Sequence, residues 1–319
     1  MKRFESFLPP ALSGWGDDSM TQDSKFAQAI EKGTFIFTAE FLPYTTAEPA
    51  VIEKAVGALK DGPVAVNVAD NPHGPVMSSL AGSIALYRAN IEPVYQLVTR
   101  DRNRIALQSD LLGAAYLGIK NVLCLSGYHQ TLTTSNEAGN VFDIDSIQLI
   151  AAIKKMNEQG ILIDGTTIEG AFSVLVGAVA NPYLIPLELN ILRVTKKVAA
   201  GARFIQTQAV FDTERFHQWL EAARGEGITE KAAILAGVRP IESVAEVENL
   251  RDTLTDFSIP DEVVTRLKAA GDKEAQKKEG LAICTEVIKK IRGMKGLRGI
   301  HILSGGKESI VSELMAATK

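Results

Sequence analysis

Glu40 is the residue of this chain most readily given a chemical task. It ends the apolar run Thr34-Phe35-Ile36-Phe37-Thr38-Ala39 and precedes the proline-broken segment Phe41-Leu42-Pro43-Tyr44. Such a run reads as a buried strand that delivers one carboxyl to its C-terminal end, where parallel α/β barrels collect catalytic side chains. The plainer reading of the same pattern is an ordinary strand-end acid, exposed or paired with an arginine. Further polar residues fall at the ends of later apolar runs. They are Asp70 with Asn71-Pro72-His73, Gln96 with Thr99-Arg100-Asp101, Gly127-Tyr128-His129, Asn181-Pro182, Gln206 with Gln208, Arg239, and Gly305-Gly306. Amides, one or two acids and glycine-permitted backbone approach suit a planar heterocycle with many hydrogen-bonding edges. They do not suit a metal cage. The four histidines, His73, His129, His217 and His301, share no ligand spacing, and the two cysteines, Cys124 and Cys284, form no CxxC pair.

The segments that must position these groups alternate between strand-like runs and helical periods. Strands are predicted over 34–40, 64–69, 93–98, 121–125, 172–179, 203–208, 233–238 and 299–303. Several are apolar at successive positions, as expected where both faces of a parallel strand are buried. Helices are predicted over 24–32, over 102–117 with Ile105, Leu112 and Tyr116 on the apolar stripe, and over 143–158 with Ile144, Ile147, Leu149, Ile150 and Ile153. The same periodicity continues over 187–200, 213–224, 243–254, 260–270, 273–293 and 307–318. The pattern is that of an α/β (β/α)8 TIM barrel with an N-terminal extension and extra helices before the eighth strand. An open doubly wound sheet is the competitor. A G-x-G-x-x-G turn after the first strand would favour it, and the segment after Glu40 has none. The domain division is an N-terminal arm and helix over 1–33, with Pro9-Pro10 in the arm, and one barrel domain over 34–319. The connection 126–142 is long for a βα loop, which points to function.

The chain has 319 residues, 46% hydrophobic and 23% charged, an ordinary globular balance. A net charge of −4, with basic residues scattered among acids, gives no electrostatic footprint for nucleic acid. The cluster Arg100, Arg102 and Arg104 is too short to track a phosphate backbone and reads as helix-start ion-pair architecture. No stretch approaches the ~20 apolar residues of a membrane helix. The start Met1-Lys2-Arg3-Phe4 lacks the apolar core of a signal peptide, and the cysteine usage fits a reducing compartment, so a cytoplasmic location is expected.

Several segments, in order, resemble the methylenetetrahydrofolate reductase family of flavin-dependent TIM barrels. They are Ala39-Glu40-Phe41-Leu42-Pro43, Thr99 to Arg104 running into Leu107 to Ala114, and Asn121 to Gly127. Lys197 to Ala202, Thr207 to Asp212 and Gly237-Val238-Arg239-Pro240 complete the set. The resemblance spans about residues 25–305 and implies an enzyme of one-carbon metabolism. Such an enzyme reduces 5,10-methylenetetrahydrofolate to 5-methyltetrahydrofolate with FAD, by hydride transfer from the reduced flavin. It implies Glu40 as the general acid and Gln208, Tyr128 and Arg239 as substrate-binding positions. For FAD it implies Ala69, Gln96, Leu125, Ser126, Gly127, Arg193, Lys196 and Lys197, with the helical cations meeting the diphosphate. No metal is implied.

The chain departs from the family at Tyr128, where an aspartate beside the flavin is usual. A phenol does not disfavour anionic reduced flavin as a carboxylate does, so an altered flavin potential, an altered electron donor or a blocked folate site are the alternatives. The expected donor is NAD(P)H or a partner subunit, as in the partner-dependent members of anaerobic one-carbon metabolism, and a homo- or hetero-oligomer is expected. Two other functions remain open from the sequence: a flavin-bearing subunit of a larger electron-transfer complex, and a non-redox, pterin-binding methyltransferase-type barrel.

Overall fold

The computed structural model describes residues 24–253 and 258–318; the predicted arm before Ser24 lies outside the described residues. Eight parallel strands close into a barrel in chain order: β1 Ile36–Phe41, β2 Ala65–Val68, β3 Pro93–Val98, β4 Asn121–Leu125, β5 Leu175–Ala180, β6 Phe204–Ala209, β7 Ala233–Val238 and β8 Leu297–Ile302. The ring closes where Thr38 of β1 pairs with His301 of β8. The helices are α1 Lys25–Glu31, α2 Pro49–Ala58, α3 Ser79–Arg88, α4 Arg104–Tyr116, α5 Ser146–Gln159 and α6 Leu187–Ala200. Then come α7 Thr213–Gly225, α8 Val244–Thr253, α9 Asp261–Ala270, α10 Lys273–Ile291 and α11 Ser309–Ala317. The predicted barrel and the extra helix pair α9 and α10 before β8 are therefore present.

Three local expectations change. Phe172, Ser173 and Val174 precede β5 rather than forming its start. Two helices not assigned from the sequence, α2 and α3, follow β1 and β2; Pro49 opens α2 at its first turn, where its missing N–H costs nothing. The stripe predicted for α4 is docked only at Leu112, which packs half-buried against the core; Ile105 and Tyr116 are 74% and 60% exposed. The buried face is Leu107, Gln108, Leu111 and Ala114, at i, i+1, i+4 and i+7. Both stripes are apolar, and periodicity alone does not say which one meets the barrel. The docked one does so partly through Gln108, whose Oε1 accepts from the Ile163 N–H at 2.7 Å.

Inward positions change chemistry with height, because alternate residues of each strand face the barrel axis. At the N-terminal end Ile36, Ala65, Val94, Leu123, Phe204, Ala233 and Leu235 form one apolar cluster with Phe26 of α1. Helix α1 caps that end. Its Phe26 ring meets Phe204 edge-on, 4.9 Å between centroids, and Glu92 accepts from the Lys25 N–H at 2.7 Å and from Ser24 Oγ at 2.6 Å. Gly177 of β5 makes room for the Phe204 ring, since a Cβ there would lie 2.2 Å from it. One step higher the inward residues are Thr38, Asn67, Gln206 and His301. At the C-terminal end stand Glu40 and Gln208.

Candidate active site

The C-terminal mouth of the barrel holds a cleft of about 180 Å³. Glu40, Ala69, Gln96, Leu125, Gly127, Tyr128, Gln208 and Arg239 all line it, so eight of the site residues named from the sequence converge on one space. A second cavity of about 260 Å³ adjoins it, lined by Ser126, Arg193 and Lys197 and sharing Leu125, Gly127, Tyr128 and Gln208 with the first. Lys196, one residue from Lys197, lines neither and is exposed on α6; a helix turns about 100° per residue, which takes it off that face. Two larger clefts, of about 320 and 610 Å³, lie at the opposite end among residues such as Lys154, Arg203, Glu92 and Lys120. Neither contains a residue at a strand's C-terminal end.

Beneath the mouth lies a closed polar layer. Asn67 Nδ2 donates to Gln206 Oε1 at 2.7 Å, and Gln206 Nε2 returns a bond to Asn67 Oδ1 at 3.1 Å. Gln206 Nε2 also reaches Thr38 Oγ1 at 3.3 Å, and Thr38 Oγ1 lies 2.9 Å from His301 Nδ1. Burial pushes His301 down to about 3, so the imidazole is neutral across the physiological range. These amides and the ring give the mouth a rigid floor without a net charge. Gln206 lies at the end of an apolar run and is legible there. Thr38 and Asn67 were missed, although each breaks an apolar run and Thr38 shares a face with Glu40 two residues on.

Glu40 sits above this floor. Burial raises its carboxyl to about 7, against the Arg239 guanidinium and a Gly305 backbone N–H that favour the charged form, with Glu308 adding to the rise. Arg239 is restrained by Glu246, 3.0 Å away. The group is thus poised between its protonated and ionised forms near neutral pH, as a general acid requires.

The loops after β2, β3 and β4 are stitched together around Arg100, which is 2% exposed. Its guanidinium donates to the Asn71 carbonyl at 2.8 Å, to the Tyr128 carbonyl at 3.2 Å, and to Asp101 through Nε at 2.7 Å. Arg102 pairs with Asp70 at 2.6 Å and Arg104 with Asp143 at 2.8 Å, so the arginine cluster is structural, as its position at a helix start suggests. Gly127 has a φ of +84°, and a Cβ on it would lie 2.6 Å from Val98 Cγ1. Only glycine lets the loop after β4 turn this closely over β3. That turn carries the half-buried Tyr128 to the boundary of the two cavities, where its hydroxyl accepts from Gln208 Nε2 at 3.2 Å. In the flanking cavity Lys197 Nζ donates to the Val179 carbonyl at 2.6 Å. Burial, with repulsion from Arg193, lowers this ammonium to about 8.

Among the described residues no three His, Cys, Asp or Glu side chains converge as a metal site, and no helix is long and apolar enough to cross a membrane. Cys124 and Cys284 are both buried.

Fold and site together define a (β/α)8 barrel whose C-terminal mouth gathers hydrogen-bonding side chains beside a poised acid. The chain belongs to the methylenetetrahydrofolate reductase family, whose pattern it matches over residues 25–319. It is 21% identical over 304 residues to a probable methylenetetrahydrofolate reductase (NADPH) of Caenorhabditis elegans, covering 91% of this chain and 43% of the relative. It is 30% identical over 196 residues to methylenetetrahydrofolate reductase (NADH) 1 of Zea mays, covering 58% of this chain and 31% of that protein. The chain thus spans less than half the length of these relatives. Among solved structures it shares the fold of an uncharacterized Clostridium thermocellum protein that binds two copies of 5-methyl-5,6,7,8-tetrahydrofolic acid. The TM-score is 0.61 at 14% identity, covering 92% of this chain and 97% of that one.

Proposed function

We propose that this chain reduces 5,10-methylenetetrahydrofolate to 5-methyltetrahydrofolate at the barrel mouth, with FAD as the redox cofactor. The observation that carries the reading is Glu40, a carboxyl raised to about 7 in a cleft it shares with Gln208 and Tyr128, in a chain of this family.

The residues present fit a flavin dinucleotide. The flanking cavity opens into the mouth through shared walls, and its far side carries two cations, Arg193 and Lys197, one helical turn apart on α6. These are the groups a diphosphate needs. The exposed backbone at Gly127 and the hydroxyl of Ser126 offer close polar approach. When bound, the flavin supplies the hydride. The protein's own residues do the rest. Glu40 donates its proton to the imidazolidine nitrogen as the carbon–nitrogen bond breaks, leaving the 5-iminium carbon to accept the hydride. Gln208 holds the pterin edge by its amide, and the neutral floor of Gln206, Asn67 and His301 keeps water out from below. Ala69 and Gln96 line the inner wall against which the stacked rings would lie.

The electron donor is read as NADH or NADPH, or a partner subunit that feeds the flavin. An anaerobic reaction tests the whole scheme. The FAD-loaded protein is mixed with NADH, NADPH or dithionite, and methylenetetrahydrofolate is then added. Bleaching of the flavin followed by reoxidation and formation of methyltetrahydrofolate is expected. Reduction by dithionite but by neither nucleotide identifies a protein donor, and reduced flavin that stays reduced on adding the folate rejects the reductase reading.

A further inference from the structure

The strand that carries Gln206 and Gln208 falls out of step with its neighbour where it reaches the mouth. Along β6 and β7 the ladder runs evenly from Phe204 opposite Ala233 to Gln206 opposite Leu235, then jumps to Ala209 opposite Gly237. Three residues of β6 advance against two of β7, so β6 carries one surplus residue in the pair Thr207-Gln208. This is a β-bulge, rare between parallel strands and over-represented beside functional sites, where it re-aims a side chain. A further shift, between β7 and β8, falls at Ile234 and Leu235, away from the mouth.

Two residues build the swelling. The buried Thr207 hydroxyl accepts from the Gly237 N–H at 3.0 Å and donates to the Gln208 carbonyl at 2.9 Å, so it ties β7 to the surplus residue. Gly237 gives the room: a Cβ there would lie 2.2 Å from the Thr207 carbonyl oxygen and 3.0 Å from the Gln208 carbonyl. Only a residue without a side chain lets two backbones approach so closely. Beyond the bulge the ladder resumes, with the Val210 N–H donating to the Gly237 carbonyl at 2.8 Å. The two amides of β6 differ accordingly. Gln206, on the even part of the ladder, reaches across the barrel axis to Asn67 of β2. Gln208, two residues on and within the bulge, turns sideways to Tyr128 Oη at 3.2 Å. Tyr128 follows β4, so the Gln208 amide leans over the end of β5, which stands between β4 and β6.

We propose that Thr207 is a positioning residue for Gln208. Its hydroxyl, braced on the Gly237 N–H, holds the bulge that aims the Gln208 amide at the wall between the two cavities, where the pterin edge would meet it. The proposal rests on Gln208 as the folate-holding residue of the reading above, but one of its two measurements needs no folate.

The first measurement is the side-chain amide signal of Gln208 in the 15N-labelled protein by NMR, assigned by its loss in Gln208→Ala. The second is the dissociation constant of 5-methyltetrahydrofolate. Thr207→Val keeps the shape of the side chain and removes the hydroxyl; Thr207→Ser keeps the hydroxyl. Thr207→Ala removes it with less crowding and replaces the valine variant should that fail to fold. Without the hydroxyl the Gln208 signal is expected to move to the position of a free, solvated glutamine, and the folate constant to rise about tenfold, the scale of one lost hydrogen bond. Thr207→Ser should match wild type in both. Added to Gln208→Ala, Thr207→Val should weaken folate binding no further, because a residue that acts through another has nothing left to act on. An unmoved Gln208 signal, or an equal further loss in the Gln208→Ala background, overturns the proposal. A displaced signal in a protein that does not bind the folate sinks the reductase reading and leaves the positioning of Gln208 standing.

Discussion

The two ends of one barrel are built from the same strands and differ in almost every physical respect. At the N-terminal end the inward residues are hydrocarbon, and α1 is pressed onto them through the Phe26–Phe204 contact. At the C-terminal end the same strands present Glu40, Gln206, Gln208 and His301 to an open cleft. Two or four residues along a strand separate the two regimes: Ile36 from Thr38 and Glu40 on β1, and Phe204 from Gln206 and Gln208 on β6. The N-terminal end is stabilised by apolar burial, and the mouth keeps groups whose burial is unfavourable unless each finds a partner. Stability and chemistry can share eight strands because they occupy different heights on them.

That division can be tested by damaging one end and reading both. The largest effect is expected at the mouth. Glu40→Gln should lower turnover by about 10²–10⁴-fold, the usual contribution of a general acid, while leaving the unfolding midpoint in urea close to wild type. Its pH dependence has a definite sign. Glu40 is raised to about 7, so the wild-type rate of the step needing its proton is highest below that pH and falls as pH rises through it. Steady-state rates across pH 5.5–9 should lose that limb in the glutamine variant; an identical limb would remove Glu40 from the acid role.

The reverse experiment attacks the apolar N-terminal end. Phe204 is fully buried, and Phe204→Ala should cost about 3–5 kcal/mol in urea unfolding while the molecules that remain folded keep their turnover. Equal losses of stability and of turnover per folded molecule would show that the two ends are coupled. The smallest effect belongs to the boundary between the cavities. Tyr128→Phe removes the hydroxyl that accepts from Gln208, a single hydrogen bond worth about 0.5–1.5 kcal/mol. Tyr128→Asp puts a carboxylate at the same place and should lower the flavin midpoint potential. An unshifted potential in Tyr128→Asp would refute the idea that this tyrosine tunes the flavin.

Much of the fold is legible along the chain because a parallel barrel writes a strong local signal. Its strands are apolar on both faces and its helices are periodic, and all eight predicted strands overlap observed ones. The misreading on α4 shows the limit. Ile105, Leu112 and Tyr116 make as good a stripe as Leu107, Leu111 and Ala114, and only the barrel surface selects between them. The site was legible in the same uneven way. Glu40, Gln208 and Tyr128 stand at strand ends, where position alone suggests exposure to a ligand. Lys196 and Lys197 are indistinguishable as neighbours in sequence, yet only Lys197 faces the cavity. Thr207 gave no signal, since a threonine within a strand is usually there for the strand.

By itself the sequence determined the alternation of elements, the acid at the end of the first strand and the family to which those segments belong. Each of these is a matter of near neighbours: residue type, period and spacing along the chain. The tertiary structure decided which groups meet. Thr38 lies beside His301 across 263 positions of sequence, Asn67 faces Gln206 across 139, and Tyr44 reaches Glu308 across 264. Such contacts exist only because the strands curl into a closed barrel, which sets β8 beside β1 and β2 across from β6. The proton affinity of Glu40 is set there too, by burial and by charges brought from β7 and the turn after β8, which no local pattern records.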